Sequence, residues 1–326
     1  MSITHPGQLD CFHNPLANRQ LAYGAARQDI LSVARAENAL HTISRWPNYQ
    51  ATALQQLNTM AEAANIDKVY YKDESTRFGL KSFKALGGAY AVTRFLQQHL
   101  AQINGVEPTM EELLSGQFKA QLKDVVVSCA TDGNHGRSVA WGAQMFGCQC
   151  IIYIHRDVSP GRQAAMEAYA AQVIRITGNY DDSVKQAASD AKQHGRVIIS
   201  DTSYPGYTEI PANVALGYTV MLAEIVQQLK GDVPTHVFVQ AGVGGLAAAV
   251  CGYFWDLWGQ QRPRFVIVEP EQANCLQESA KAGELRVVDG DLDTLMAGLA
   301  CGEVSQIAWQ ILDQGADDFI TLSEDA

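Results

Sequence analysis

From residue 125 onward the chain reads in blocks, with short β-rich apolar runs separated by longer stretches of helical spacing. The runs 125–129, 150–154, 173–176, 197–200, 236–239, 265–268 and 319–322 predict buried strands. Between them, 137–146, 161–170, 183–194, 214–229, 245–258, 272–282 and 304–312 predict helices. Buried strands alternating with helices indicate an α/β architecture of twisted, mostly parallel sheets flanked by helices. Two helix starts are marked: Ser159-Pro160 offers an N-cap and an N1 proline, and Asp181-Asp182 puts negative charge in a first turn.

The first third is less regular. Residues 1–48, punctuated by Pro15 and Pro47, have no strong period and read as an arm or covering segment. Leucines and alanines at helical spacing predict a helix over 49–65, and 68–72 predicts a strand. A helix is expected from about Ser82, followed by a polar piece over 102–123 with a short surface helix near Glu111 and Glu112. At the other end, Ser323-Glu324-Asp325-Ala326 reads as an N-cap with an acidic first turn. Residues 125–200 hold four strands and three helices, enough for a unit of their own. Two domains are expected: a large one from 1–90 and 203–326, and a small one from 91–202.

Composition narrows the function classes. The chain has 326 residues, 47% hydrophobic and 18% charged, which suits a compact enzyme with a sizeable core. A net charge of −11 argues against a nucleic-acid surface, which needs a basic patch. The most apolar long stretch, 236–258, is broken by Gln240, Gly242, Gly244, Gly245 and Asp256, so no membrane span is expected there. Residues 1–10 have neither a basic cap nor an apolar core, unlike a signal peptide. The seven cysteines lack metal-ligand spacing, since Cys148 and Cys150 form only C-x-C. Reduced thiols, no metal and a soluble cytoplasmic protein are the expectation.

Three stretches carry chemistry. In Lys72-Asp73-Glu74-Ser75-Thr76-Arg77-Phe78-Gly79-Leu80-Lys81-Ser82-Phe83-Lys84-Ala85-Leu86-Gly87-Gly88, Lys84 falls in the first turn of a helix after a strand and a polar loop. The helix dipole gives a cation nothing there, so Lys84 is either solvated surface or a partly desolvated amine able to act as nucleophile and base. Thr131-Asp132-Gly133-Asn134-His135-Gly136 lies between a strand and a helix. It is either an ordinary turn, with Asn134 and glycine left-handed, or an anion site at a helix N-terminus. Gly242-Val243-Gly244-Gly245 also joins a strand to a helix, and its glycines allow close approach to a phosphate or simply close packing. The spacing is not that of a dinucleotide or P-loop site. Asp201, at a strand end, is a turn former or a site carboxylate, and Glu269-Pro270 ends a buried strand as part of the site floor.

Taken together, these motifs resemble the fold-type-II pyridoxal-phosphate enzymes, the tryptophan synthase β family, over most of residues 65–322. The resemblance implies that Lys84 carries pyridoxal 5'-phosphate covalently, with Phe83 beside it. It implies that Gly242, Val243, Gly244 and Gly245 grip the phosphate and that Asn134 bonds the ring hydroxyl. Thr131, Asp132, Gly133 and His135 then hold the substrate carboxylate, with Asp201 near its amine; His135 reads as packed or capping more than as a base. Asp132 stands where the general pattern has a small residue. It could accept a proton from the substrate face opposite Lys84 or pair with a cationic group.

With Asp132, the wording Asp-Gly-Asn-His-Gly, Lys-Asp-Glu-Ser-x-Arg-Phe-Gly-Leu and Phe-Lys-x-Leu-Gly-Gly-Ala-Tyr resembles the diaminopropionate ammonia-lyase subfamily. Asn179-Tyr180-Asp181-Asp182, the stretch from Asp201-Thr202 to Tyr207-Thr208-Glu209-Ile210-Pro211, and Met296-Ala297-Gly298-Leu299-Ala300-Cys301-Gly302-Glu303 match it as well. The implied reaction is α,β-elimination of 2,3-diaminopropionate to pyruvate and ammonia, with Lys84 and Asp132 catalytic. A serine or threonine dehydratase is the alternative, and a cofactor-binding protein with little turnover is another. The implied partner is a small amino-acid substrate, and a homodimer is expected. Members continue with a Glu-Ser-Gly-Ala-like turn and a later serine or threonine at the cofactor's ring nitrogen. Neither is found here, so a truncated chain with a loosely held cofactor ring is expected.

Overall fold

A computed structural model describes residues 7–131 and 133–325. The chain starts with strand β1 (Leu9–His13), a single-turn helix α1 (Ala25–Gln28) and helix α2 (Val33–Ile43). A hairpin of β2 (Leu54–Gln56) and β3 (Tyr70–Lys72) brackets α3 (Asn58–Ala64), and the long helix α4 (Lys84–Asn104) follows. Short helices α5 (Met110–Ser115) and α6 (Lys119–Leu122) lead into an alternating series. It comprises β4 (Val126–Ala130), α7 (Asn134–Phe146), β5 (Gln149–Ile154), α8 (Pro160–Glu167), β6 (Gln172–Arg175), α9 (Tyr180–His194) and β7 (Val197–Ile198). The chain then runs through α10 (Glu209–Leu229), β8 (His236–Gln240), α11 (Gly245–Trp258), β9 (Arg264–Pro270), α12 (Cys275–Ala282), α13 (Gln306–Gly315) and β10 (Asp318–Leu322).

Two four-stranded sheets result. One has the order β6-β5-β4-β7 and is parallel throughout. The other has the order β1-β10-β9-β8, parallel except for β1, which pairs antiparallel with β10 in the register Leu9↔Leu322 to His13↔Asp318. Every strand expected from the apolar runs is present, shifted by a residue or two at the ends. The signalled helix starts are real: Ser159 accepts a hydrogen bond from the Arg162 N–H, and Asn179 and Asp182 form a reciprocal capping box.

Three expectations need correction. The predicted helix over 49–65 is loop, then β2, then a helix of seven residues, because β2 pairs with β3 from Leu54↔Lys72 to Gln56↔Tyr70. The arm is more than a cover: β1 completes a sheet, and α2 buries Ala36, Ala39 and Ile43 against α10. Ser323 caps no helix, since its hydroxyl accepts from the Gln8 N–H and its own N–H donates to Gln8, extending the β1–β10 pairing. Ala326 lies outside the described residues.

The centre of the molecule is the helix pair α4 and α10. Gly217 lets α10 approach so closely that a Cβ there would sit 2.6 Å from the Leu86 carbonyl oxygen. Helix α10 is long and apolar enough to cross a membrane, but 72% of its most apolar window is buried inside the protein, against α2, α4 and α11. This burial fixes α4 and hence Lys84 at its first residue.

Candidate active site

Lys84 is the first residue of α4, preceded by Phe83 at the N-cap. The loop before it takes left-handed conformations at Phe78 (φ 50°), Gly79 (φ 73°) and Lys81 (φ 58°). Packing holds this loop: Phe78 lies 4.7 Å from Trp141 and 5.8 Å from Trp46 between ring centres, and Arg137 donates to the Leu80 carbonyl at 3.1 Å. Nζ of Lys84 then meets Oδ2 of Asp201 at 2.8 Å, with 26% and 19% of the two side chains exposed. Burial, the largest single influence, would discharge both groups. It is outweighed only by the sum of the partner's charge and hydrogen bond with smaller contributions, from Tyr218 and Cys301 on the lysine and from His135 on the aspartate. The lysine pKa is thus held above its usual range and the aspartate's below its own. The pair is an ammonium and a carboxylate.

Asp201 comes just after β7, and β7 pairs in parallel with β4, so the loops leaving both strands lie side by side. Carboxyl ends of parallel strands are where ligands bind in such sheets. In the loop after β4, Thr131 is buried and its hydroxyl accepts from the Gly133 N–H at 3.2 Å. Gly133 has φ 173° and Asn134 is the first, exposed residue of α7, so neither takes the left-handed conformation expected of them in an ordinary turn. His135 is buried; its Nε2–H donates to the Ile199 carbonyl at 2.8 Å and its Nδ1 stands 3.9 Å from Asp201 Oδ2. Thus α7 begins against the Lys84–Asp201 pair. Asp132, expected as the second base, lies outside the described residues.

Gly242, Val243, Gly244 and Gly245 form the turn between β8 and α11. Two of their carbonyls are taken up by neighbouring elements: Gly242 accepts from the Cys275 thiol at 3.7 Å and Val243 from the Ser305 N–H at 2.8 Å. The first N–H groups of α11 have no acceptor within their helix and stand at its positive end. Gly244 is left-handed (φ 95°), and a Cβ on it would come within 3.2 Å of Ala308. A Cβ on Gly245 would lie 3.6 Å from the Asp201 carbonyl, so this turn and the Lys84 pair adjoin. A glycine-rich turn at a helix N-terminus beside a lysine suits a phosphorylated aldehyde in both of its reactive parts. The residues present fit pyridoxal 5'-phosphate.

Two supporting roles were not anticipated, one of them for Glu269, which was expected only as part of the site floor. Ser203, two residues after Asp201, shares a 2.8 Å hydroxyl contact with Ser305 and accepts from the Ile307 N–H at 2.9 Å, tying the Asp201 loop to α13. Glu269, fully buried, accepts from the N–H groups of Leu276 and Gln277 at 2.8 Å each. It therefore caps α12, the helix whose Cys275 meets the glycine turn. A carboxylate followed a few residues later by a helix start was the available signal.

Residues 46–326 match the model of the family described as pyridoxal-phosphate dependent enzymes. Diaminopropionate ammonia-lyase of Salmonella typhimurium is 37% identical over 313 residues, 94% of this chain and 77% of that protein. The Escherichia coli diaminopropionate ammonia-lyase solved with D-serine superposes with a TM-score of 0.85 at 35% identity, covering 98% of this chain and 78% of that one. The same enzyme solved with an aminoacrylate-PLP azomethine gives 0.86 at 34% identity, with the same coverage. This chain belongs to the family of pyridoxal-phosphate-dependent enzymes, in its fold-type-II branch with the diaminopropionate ammonia-lyases.

Proposed function

We propose that this chain eliminates both amino groups of 2,3-diaminopropionate, one molecule of substrate and one of water giving one pyruvate and two ammonia. The observation that carries the reading is the adjacency of the Lys84–Asp201 pair to the glycine turn at Gly245, on a fold shared with the diaminopropionate ammonia-lyases. Pyridoxal 5'-phosphate, held by Lys84 and by Gly242, Val243, Gly244 and Gly245, supplies the electron sink for the α-carbon. Phe83 packs beside the lysine, and Asn134 would hold the cofactor's ring hydroxyl.

Asp201 Oδ2, 2.8 Å away, holds a proton on Lys84 Nζ in the resting site, and that proton has to pass to substrate or solvent before Nζ can react. A neutral Nζ can then attack a carbonyl carbon or take the α-proton. Thr131, Asp132, Gly133 and His135 bind the substrate carboxylate where the start of α7 favours an anion, and Asp201 pairs with the substrate amine. Asp132 takes the α-proton when it points away from Lys84. One pocket with bases on two faces serves both substrate hands. Asp132→Asn should therefore slow one enantiomer roughly 10²- to 10⁴-fold more than the other. Equal losses for both would leave Asp132 a binding group and no base.

We further propose that 1–90 and 203–326 form a large domain and 91–202 a small one, with α4 (Lys84–Asn104) spanning the first boundary and serving both. A cytoplasmic homodimer is the assembly and setting we favour. Seven free cysteines, five of them buried, support the reducing compartment.

A further inference from the structure

We propose that Tyr218 is a positioning residue of the reacting site, its hydroxyl being the partner that steadies Nζ of Lys84 when that nitrogen leaves Asp201. The proposal rests on Lys84 being the reacting amine. Tyr218 lies on α10 with 1% of its surface exposed. Its ring meets Phe83 edge to face, 5.1 Å between centres, at an angle of 71°. A Cβ on Gly87 would fall 2.8 Å from Tyr218 Cζ, so the carbon bearing the hydroxyl rests on α4 one turn beyond Lys84. That glycine makes room for this ring.

The hydroxyl itself has no hydrogen-bond partner among the described residues. Burying a hydroxyl unpaired is a net cost, and native structures keep few such groups. Phenylalanine would fill the same space, stack on Phe83 equally well and avoid that cost. Packing accounts for the ring and leaves the oxygen unexplained. What surrounds the oxygen explains it better. The ammonium of Lys84 on α4 and the carboxylate of Asp201 after β7 both act on it electrostatically. His135 on α7 stands beside Asp201, and the Cys301 thiol also acts on Lys84 electrostatically.

Burial, ahead of these charges, keeps the phenol protonated far above its usual range, so Tyr218 is a donor here and no base. In the resting pair, the Nζ ammonium donates to Asp201 and has no lone pair to accept from the Tyr218 O–H. A neutral Nζ gains far less from a carboxylate and offers a lone pair. The Tyr218 O–H can donate to that lone pair and limit where the amine swings. No atom is transferred in this role.

Tyr218→Phe tests it. Apoprotein is mixed with pyridoxal 5'-phosphate, quenched with borohydride at intervals, and the fraction of Lys84 modified is read by peptide mass. The variant should modify Lys84 roughly tenfold more slowly, as expected when a reacting group loses its placement. Its melting temperature should match or exceed that of the unsubstituted chain. With 2,3-diaminopropionate, kcat should fall about tenfold while KM stays within about twofold. Equal modification rates and equal kcat would overturn the role of Tyr218 alone. Absence of any adduct on Lys84 in the unsubstituted chain would overturn the proposed function with it.

Discussion

Arg77 and Glu224, 147 positions apart, are joined by two parallel hydrogen bonds of 2.8 Å each, one from each terminal nitrogen of the guanidinium. Their side chains are 1% and 2% exposed. Lys72 adds a third bond to Glu224 at 2.7 Å, and Glu74 takes Arg77 from the other side at 2.7 Å. This network fastens the loop before Lys84 to α10, the helix against which α4 packs. A bidentate arginine fixes both distance and plane, so the loop reaches Lys84 from one direction only.

Glu224→Ala would leave Arg77 and Lys72 buried without their shared carboxylate. A loss of about 3–5 kcal/mol in unfolding free energy is expected, because an uncompensated buried charge is what such a change creates. Urea denaturation measures it. A loss below about 1 kcal/mol, the worth of an exposed pair, would show that the network carries no such burden.

Glu269 gives the pH dependence. Burial raises its carboxyl pKa to about 8, against the lowering effect of the Leu276 and Gln277 N–H groups and of Lys281, and with help from Glu278. The folded value is above the unfolded one, near 4.3, so the native state binds this proton more tightly. Its contribution is fully present at acid pH and is lost as pH rises from about 5 to about 8. The slope is at most about 1.4 kcal/mol per pH unit. Glu269→Gln should remove that slope from urea unfolding across this window. The same slope in both proteins would assign it to another group.

Gly244→Ala adds a Cβ at a left-handed position, 3.2 Å from Ala308. Strain of this kind costs about 1–3 kcal/mol and would distort the turn proposed to hold the phosphate. Affinity for pyridoxal 5'-phosphate, titrated by absorbance, should drop at least about fivefold, the low end of that cost. Gly161→Ala, where the added carbon meets nothing within 4 Å, is the control and should bind as the unsubstituted chain does. Equal affinity in all three would remove this turn from the cofactor site.

The alternation of 125–322 was legible because β4, β5, β9 and β10 are largely buried and read as apolar runs, while helices such as α9 keep a polar stripe. Gly245–Trp258 could be read to the residue, since glycine stands at its start and its end. What failed was decided by partners far along the chain. Leucine and alanine spacing near Leu54 favoured a helix, and pairing with Tyr70–Lys72 overrode it. Strand β1 finds its partner more than 300 residues away, which no local period can announce. Lys84 and the glycine turn were visible as motifs, but Arg77 was read only as part of a loop. Glu224, a lone carboxylate inside the apolar run of α10, was the sign that a buried cation had to face it.

The central claim is an elimination carried out at Lys84. The purified chain, loaded with pyridoxal 5'-phosphate and given D,L-2,3-diaminopropionate, should release pyruvate and ammonia in a ratio of about one to two, as the atom balance of the elimination requires, and Lys84→Ala should release neither. Pyruvate formed from L-serine but none from diaminopropionate, or undiminished release by Lys84→Ala, would contradict it.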